Sequence, residues 1–245
     1  MNKQLILFDL DDTLVHCNIY FEQVLQKFSH SMIERFGSKR INEEQIRKKQ
    51  QEIDLIGVEQ LGFTLDHFPQ SLVDTYLFLC DLYNEMPENE TKEKLRLLGQ
   101  SVYHMDIEAY PDMVETLNQL KQSGHILFLY TGGVTEVQFR KINQLGLEYF
   151  FENRIHVARH KTIEEMDRLL HRIQADRSNT WMIGNSLRTD IVPALESGIH
   201  AIFIPADNEW NYNIVEVKTE PAGAYLTISS LNQVPNAINA YLKNR

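Results

Sequence analysis

Asp9, Asp11 and Asp12 fall within four positions, directly behind the apolar run Leu5, Ile6, Leu7, Phe8. A run of that length reads as a strand buried on both faces, and the carboxyl end of such a strand is where open parallel sheets place their ligands. Two carboxylates there could hold a cation and attack a substrate. The plainer alternative is a strand running into an acidic, solvated turn. The same kind of ending recurs. Ile126 to Tyr130 runs into Thr131, Gly132 and Gly133; a short strand near Ile155 to Val157 leads to His160 and Lys161; and Thr180 to Ile183 is followed by Gly184, Asn185 and, further on, Asp190. In a parallel sheet these ends share one edge, so residues far apart in the chain converge on one site. Taken singly, Thr131 is an ordinary strand-end hydroxyl and Lys161 a solvated helix start.

The elements that must hold these ends can be read from the spacing of apolar residues. Pro111 opens a helix carrying Met113, Leu117 and Leu120 and closed by Gly124; another spans roughly Thr135 to Leu145, stopped by Gly146. Thr162 is placed as the N-cap of a helix to about Ile173, a further helix reaches Ser197, and Ala201 to Ile204 is a strand. A last strand and helix occupy Tyr225 to Leu242. This alternation implies right-handed crossovers and a Rossmann-like, doubly wound α/β core built on a parallel sheet. Between Val15 and Asp106 only helices are predicted. Phe21, Val24, Leu25, Phe28 and Met32 mark one from Ile19 to Phe36 with Gly37 past its end. Asn42 and Gln45 form a capping box for a second, to about Ile56; Pro69 suits the first turn of a third, reaching Tyr83; and a fourth covers Thr91 to Tyr103. The expected organisation is a core of residues 1–15 and 107–245 with an all-helical insertion, 16–106, joined by two strand-like hinges near Val15 and Asp106.

Composition narrows the partners. The net charge of −10 leaves no basic face to neutralise phosphates in series, so neither nucleic acid nor an anionic membrane surface is an expected partner. A small anionic substrate remains compatible if a cation mediates. No apolar run approaches the ~18 residues of a membrane span, and the chain starts without a basic segment followed by an apolar one; the expected location is the cytoplasm. Cys17 and Cys80 form no C-x-x-C pair and are read as free, buried thiols.

The ordered set is D-x-D-x-T at Asp9 to Thr13, an apolar strand ending in Thr131, then Lys161, then G-N-x-x-x-x-D from Gly184 to Asp190. On this set, and over its whole length, the chain resembles the phosphohydrolases of the haloacid dehalogenase superfamily. The resemblance implies Asp9 as a nucleophile forming an aspartyl-phosphate, and Asp11 as the acid for the leaving group and then the base for water. It implies phosphate held by the Thr131 hydroxyl, the Gly132 N–H and Lys161, and Mg²⁺ held by Asp9, the Asp11 backbone carbonyl, Asn185 and Asp190. The chemistry asks for such groups: a phosphate monoester yields its alcohol to a nucleophile, an acid for the leaving oxygen, and positive charge on the phosphoryl oxygens. The helical insertion stands where the family carries its type 1 cap. The substrate implied is a small phosphorylated metabolite, and the protein a monomer or weak dimer.

Asn185 stands where the family usually has Asp, and Thr162 follows the lysine where Pro is frequent. The first departure removes a negative charge from the cation site, although an amide oxygen is still a competent ligand. It keeps open a regulatory protein with a phosphate pocket and weakened turnover. A phosphomutase-type transferase, in which Asp9 returns the phosphoryl group to substrate, is a third reading. A dehalogenase is disfavoured, having no use for an acid at Asp11.

Overall fold

The inner strands of this protein are short apolar runs, buried because both faces of the sheet they form are covered, while the two edge strands are only partly buried. The computed structural model describes residues 3–61 and 64–244. Its strands are β1 (Leu5–Phe8), β2 (Ile126–Gly132), β3 (Ile155–Ala158), β4 (Thr180–Gly184), β5 (His200–Phe203) and β6 (Tyr225–Thr227). They pair in parallel in the order β3-β2-β1-β4-β5-β6. The order reverses direction beside β1: β2 and β3 extend to one side of it, β4 to β6 to the other. A crevice opens at the carboxyl ends at such a switch point. Register puts Leu7 between Phe128 and Met182, and Phe8 between Leu129 and Ile183, so Asp9 leaves the central strand one residue later.

Two compact units are present, Met1–Asn18 with Ile107–Arg245, and Ile19–Asp106. In the first, the covering helices are α5 (Met113–Gln122), α6 (Thr135–Gln144), α7 (Glu148–Phe151), α8 (Ile163–Arg172), α9 (Val192–Glu196) and α10 (Val234–Lys243). Pro111 lies in a turn rather than in the helix it was expected to open. Asp112 adopts a left-handed φ of 62° and the helix begins only at Met113, since the fixed φ of proline serves a turn as well as a helix start. Thr162 is the N-cap of α8, its hydroxyl accepting from the Glu165 N–H at 3.2 Å. The segment ahead of residue 19 and the segment after residue 106 run side by side: the His16 N–H donates to the Glu108 carbonyl at 2.9 Å and the Tyr110 N–H to that of Leu14 at 2.9 Å, around a bridge between Val15 and Ala109.

Among its described residues the second unit holds helices and no strand. It consists of α2 (Glu43–Leu61), α3 (His67–Tyr83), α4 (Asn89–Gln100) and most of α1, which starts in the first unit (Asn18–Phe36). The Asn42–Gln45 capping box forms in both directions, at 3.1 and 2.9 Å. α2 continues to Leu61, past its expected end, and α4 stops at Gln100, where Ser101–His104 tighten into a 3₁₀ turn. Gly99 lets α4 lie against α3: a Cβ there would sit 2.5 Å from the Pro69 Cα.

In this unit the His67 imidazole lies 3.0 Å from an Asp54 carboxylate oxygen and 2.9 Å from the Asp54 carbonyl. The Asp54 hydrogen bond raises the His67 pKa, against the opposing effect of burial. A histidine raised on folding stabilises fully below its unfolded value of about 6.5, and that contribution is lost as pH rises through the folded value. The melting temperature of the metal-free protein should therefore fall between pH 6 and 8 more steeply in wild type than in His67→Gln. Parallel profiles for the two proteins would remove His67 from the account.

Candidate active site

Asp9 follows β1 and points into the sheet's carboxyl edge, where its side chain is buried. A carboxylate in that position requires partners, and the strand ends supply them. The Lys161 ammonium, buried behind β3, donates to Oδ1 of Asp9 and to Oδ1 of Asp190. The Thr13 hydroxyl lies 3.3 Å from Asp9 Oδ2 and 3.3 Å from Asn185 Oδ1, and accepts from the Asn185 N–H at 3.1 Å. Asp190 is fully buried and receives the Ser186 N–H on Oδ2 at 3.0 Å. It sits in a single π-helical turn, Leu187–Ile191, where the expected helix to Ser197 is interrupted; such turns recur at functional sites because one extra residue re-aims a side chain. Gly184 makes room for it. A Cβ at Gly184 would fall on the Asp190 carboxylate and come within 2.7 Å of the Asp190 Cβ.

A second set forms around Asp11. Its Oδ1 receives Lys141 Nζ at 2.7 Å and its Oδ2 receives Gln138 Nε2 at 3.0 Å, both from α6. The same Gln138 amide lies 2.6 Å from the Thr131 hydroxyl and 3.1 Å from the Gly132 carbonyl. The sequence-predicted residues thus fall into two hydrogen-bonded groups at one sheet edge. Asp9, Lys161, Asn185 and Asp190 make the first, and Asp11, Thr131 and Gly132 the second.

The electrostatics follow from burial. Desolvation pushes the Asp9 carboxyl up to about 8: the Lys161 ammonium opposes this, while the Asp190 and Asp11 charges add to it. Burial works against the Lys161 ammonium too, yet Asp190 and Asp9 outweigh it and hold the lysine above its ordinary range. Lys141 behaves alike beside Asp11. A further cation beside one ammonium and two carboxyl groups would favour the ionised form of Asp9 over the protonated form that burial favours, so the cluster is an environment for one. Among the described residues no three His, Cys, Asp or Glu side chains form a cation cage. A cation would have to draw on a mixed set of hard oxygens, carboxylate, amide and backbone carbonyl, and the shared Thr13 contact shows that Asp9 Oδ2 and Asn185 Oδ1 converge.

The sequence profile of haloacid dehalogenase-like hydrolases matches residues 3–198. The chain belongs to this family. Among curated relatives it is similar to the glyceraldehyde 3-phosphate phosphatase of Methanothermobacter thermautotrophicus, 25% identical over 210 residues, covering 82% of this chain and 85% of that protein. Its fold is similar to that of a haloacid dehalogenase-like hydrolase from Xanthomonas campestris, with a TM-score of 0.78 at 22% identity, covering 99% of this chain and 97% of the other. A magnesium-bound HAD hydrolase from Bacillus subtilis aligns with a TM-score of 0.63 at 20% identity, covering 98% of this chain and all of that one.

Within this hydrolase fold several residues near the site were not singled out by the sequence. Asp12, read as an acidic turn residue, is buried in a left-handed conformation with φ 56°, and its carboxylate accepts the Cys17 N–H at 2.9 Å and that of Asn18 at 3.1 Å. It fixes the chain at the start of α1. Glu209, in the loop after β5, accepts the Asn185 amide at 3.3 and 3.4 Å and that of Asn213 at 2.6 Å. Burial raises its pKa, against the hydrogen bonds from the two asparagines. Glu209 thus brings a carboxylate up to Asn185, the position where the resemblance leads one to expect Asp. Gln138 and Lys141 carried the signal of one polar pair at i, i+3 on a helix, which ordinarily marks a solvated face. The described helices include none long and apolar enough to cross a membrane, and both cysteines are free thiols, Cys80 buried and Cys17 partly so.

Proposed function

We propose that this hydrolase is a phosphatase that cleaves a small phosphomonoester through an aspartyl-phosphate on Asp9. The observation that carries this reading is Asp9 itself, a buried carboxylate at the end of the central strand, held by Lys161 and followed two residues later by a second carboxylate with its own partners. In the first step an Asp9 oxygen bonds to phosphorus, the bond from phosphorus to the alcohol oxygen breaks, and Asp11 gives that oxygen its proton. In the second, water attacks phosphorus, Asp11 takes the water proton, and the bond from Asp9 to phosphorus breaks. Thr131, the Gly132 N–H and Lys161 hold the phosphoryl oxygens, Lys161 as a point charge.

Mg²⁺ fits the donor set. Asp9, the Asp11 carbonyl, Asn185 and Asp190 would hold it, and when bound it supplies positive charge against the phosphoryl oxygens. The name of the Methanothermobacter relative favours a small sugar-like phosphate, and the helical insertion, residues 16–106, would be the cap that the family resemblance implies. The protein is expected to work as a monomer or weak dimer in the cytoplasm. Phosphate release should be measured over triose phosphates, other sugar phosphates, nucleotides, flavin mononucleotide, pyridoxal phosphate and small acid phosphates, with and without Mg²⁺. Release from at least one, dependent on Mg²⁺, is the expected result. Transfer between two positions of a sugar with a bisphosphorylated primer and no net release would make the protein a mutase instead. Binding without turnover of any substrate would favour the regulatory reading.

The Asn185 contact with Glu209 sets a more specific test. Asn185→Asp would place two carboxylates side by side, and like charges at ~4 Å repel by about 4 kcal/mol at an effective dielectric near 20, before relaxation reduces it. The variant should melt below wild type without metal and gain more from added Mg²⁺ than wild type gains. Equal magnesium-induced shifts would show that position 185 does not face the cation.

A further inference from the structure

Asp11 is held more completely than its sequence motif requires. Lys141 takes one carboxylate oxygen at 2.7 Å and Gln138 the other at 3.0 Å. Both come from one face of α6, and both are buried, Lys141 to 6% exposure and Gln138 to 2%. Lys141 has a further contact with Cys17 Sγ at 3.7 Å, so Asp11 is the carboxylate that accompanies its buried charge. Long side chains seldom bury an ammonium unless an anion is fixed opposite it. With a different donor on each oxygen, the plane of the Asp11 carboxyl is set, and each oxygen keeps a second lone pair on which the proton given to the leaving group is carried. The Gln138 amide also reaches the Thr131 hydroxyl at 2.6 Å, tying Asp11 to the strand end assigned to the phosphoryl group.

We infer that Gln138 and Lys141 are positioning residues that aim the Asp11 carboxyl at the leaving-group oxygen; this rests on the phosphatase reading above. Their contribution is to the step in which the bond between phosphorus and the alcohol oxygen breaks and Asp11 gives its proton to that oxygen. It is needed most where the leaving group is a poor one. An alkoxide leaves only with a proton, whereas p-nitrophenolate leaves without one, so misaiming the acid penalises alkyl phosphates selectively. A merely structural role for α6 would lower both substrates together.

The test compares kcat/KM for p-nitrophenyl phosphate and for the best alkyl phosphate of the release screen, in wild type, Lys141→Met, Lys141→Arg and Gln138→Leu. Positioned acids contribute about 10²–10⁴-fold. Lys141→Met should lose on the order of 10²-fold on the alkyl phosphate and less than tenfold on p-nitrophenyl phosphate. Gln138→Leu should show the same selectivity to a smaller degree, and Lys141→Arg should recover most of the ratio. Beryllium fluoride with Mg²⁺ should raise the melting temperature of every variant, because Asp9 is intact. Equal losses on both substrates, or no loss on either, overturn the inference. If Lys141→Met does not fold, Gln138→Leu, which keeps the Lys141–Asp11 pair, decides by the same ratio. A wild type that releases no phosphate and gives no beryllium fluoride shift would instead overturn the phosphatase reading.

Discussion

Asp9→Asn is expected to abolish turnover and leave the fold intact or firmer. The amide matches the carboxylate in size but is a very poor nucleophile toward phosphorus, and loss of a covalent nucleophile costs on the order of 10⁴-fold or more in kcat. The structural effect has the opposite sign. Burial, with the Asp190 and Asp11 charges beside it, pushes Asp9 up to about 8 against the pull of Lys161. A carboxyl raised on folding costs stability that grows as pH climbs from its unfolded value toward the folded one, and the amide carries no such cost. Lys161 keeps Asp190 as a partner. Metal-free Asp9→Asn should thus melt at or above wild type near pH 8 while releasing no phosphate. Residual hydrolysis within tenfold of wild type would show that another group attacks, and a large drop in melting temperature would show that Asp9 is a structural anchor first.

The second large effect belongs to a residue with no side chain. Gly184→Ala should lower kcat by about 10²-fold or more, because misplacing a charged group by ~1 Å is enough for that loss. The added Cβ would meet the Asp190 carboxylate and approach the Asp190 Cβ to 2.7 Å, which rotation of the side chain cannot relieve. Asp190 would have to withdraw, releasing Lys161 and the Ser186 N–H together. Overpacking of this kind typically costs 1–3 kcal/mol, so a lower melting temperature should accompany the loss. Near-normal turnover by a folded Gly184→Ala protein would falsify the claim that the closeness of β4 to Asp190 matters.

How much of this was legible beforehand depended on where each residue lies. Asp9, Thr131, Lys161 and Asp190 stand at or near strand ends, and the apolar runs before them are strong signals, so edge and order could be read together. Gln138 and Lys141 stand inside an amphipathic helix, among Glu136, Arg140 and Asn143. Whether a helical lysine faces water or a buried carboxylate is decided by the packing of that helix and leaves no trace in its spacing. Glu209 lies in a long loop with no periodicity at all. The π-helical turn at Leu187–Ile191 escaped because one extra residue per turn leaves composition unchanged. α7, at four residues, is too short to show a period. Asp12 looked like its neighbours, and only its left-handed backbone, invisible in sequence, separates it from them.

The short ribbon that pairs His16 with Glu108 and Leu14 with Tyr110 brings both chain crossings to one place on the core. To the sheet, residues 19–106 are equivalent to the loop of a hairpin. Closing a loop costs only about 0.6 kcal/mol more for each doubling of its length, so the core is nearly indifferent to what is spliced there. A lineage could lengthen, trim or exchange that segment through two neighbouring junctions without disturbing a single strand. The carboxyl edge of the sheet and the inserted helices are therefore separable units of inheritance, joined at one seam.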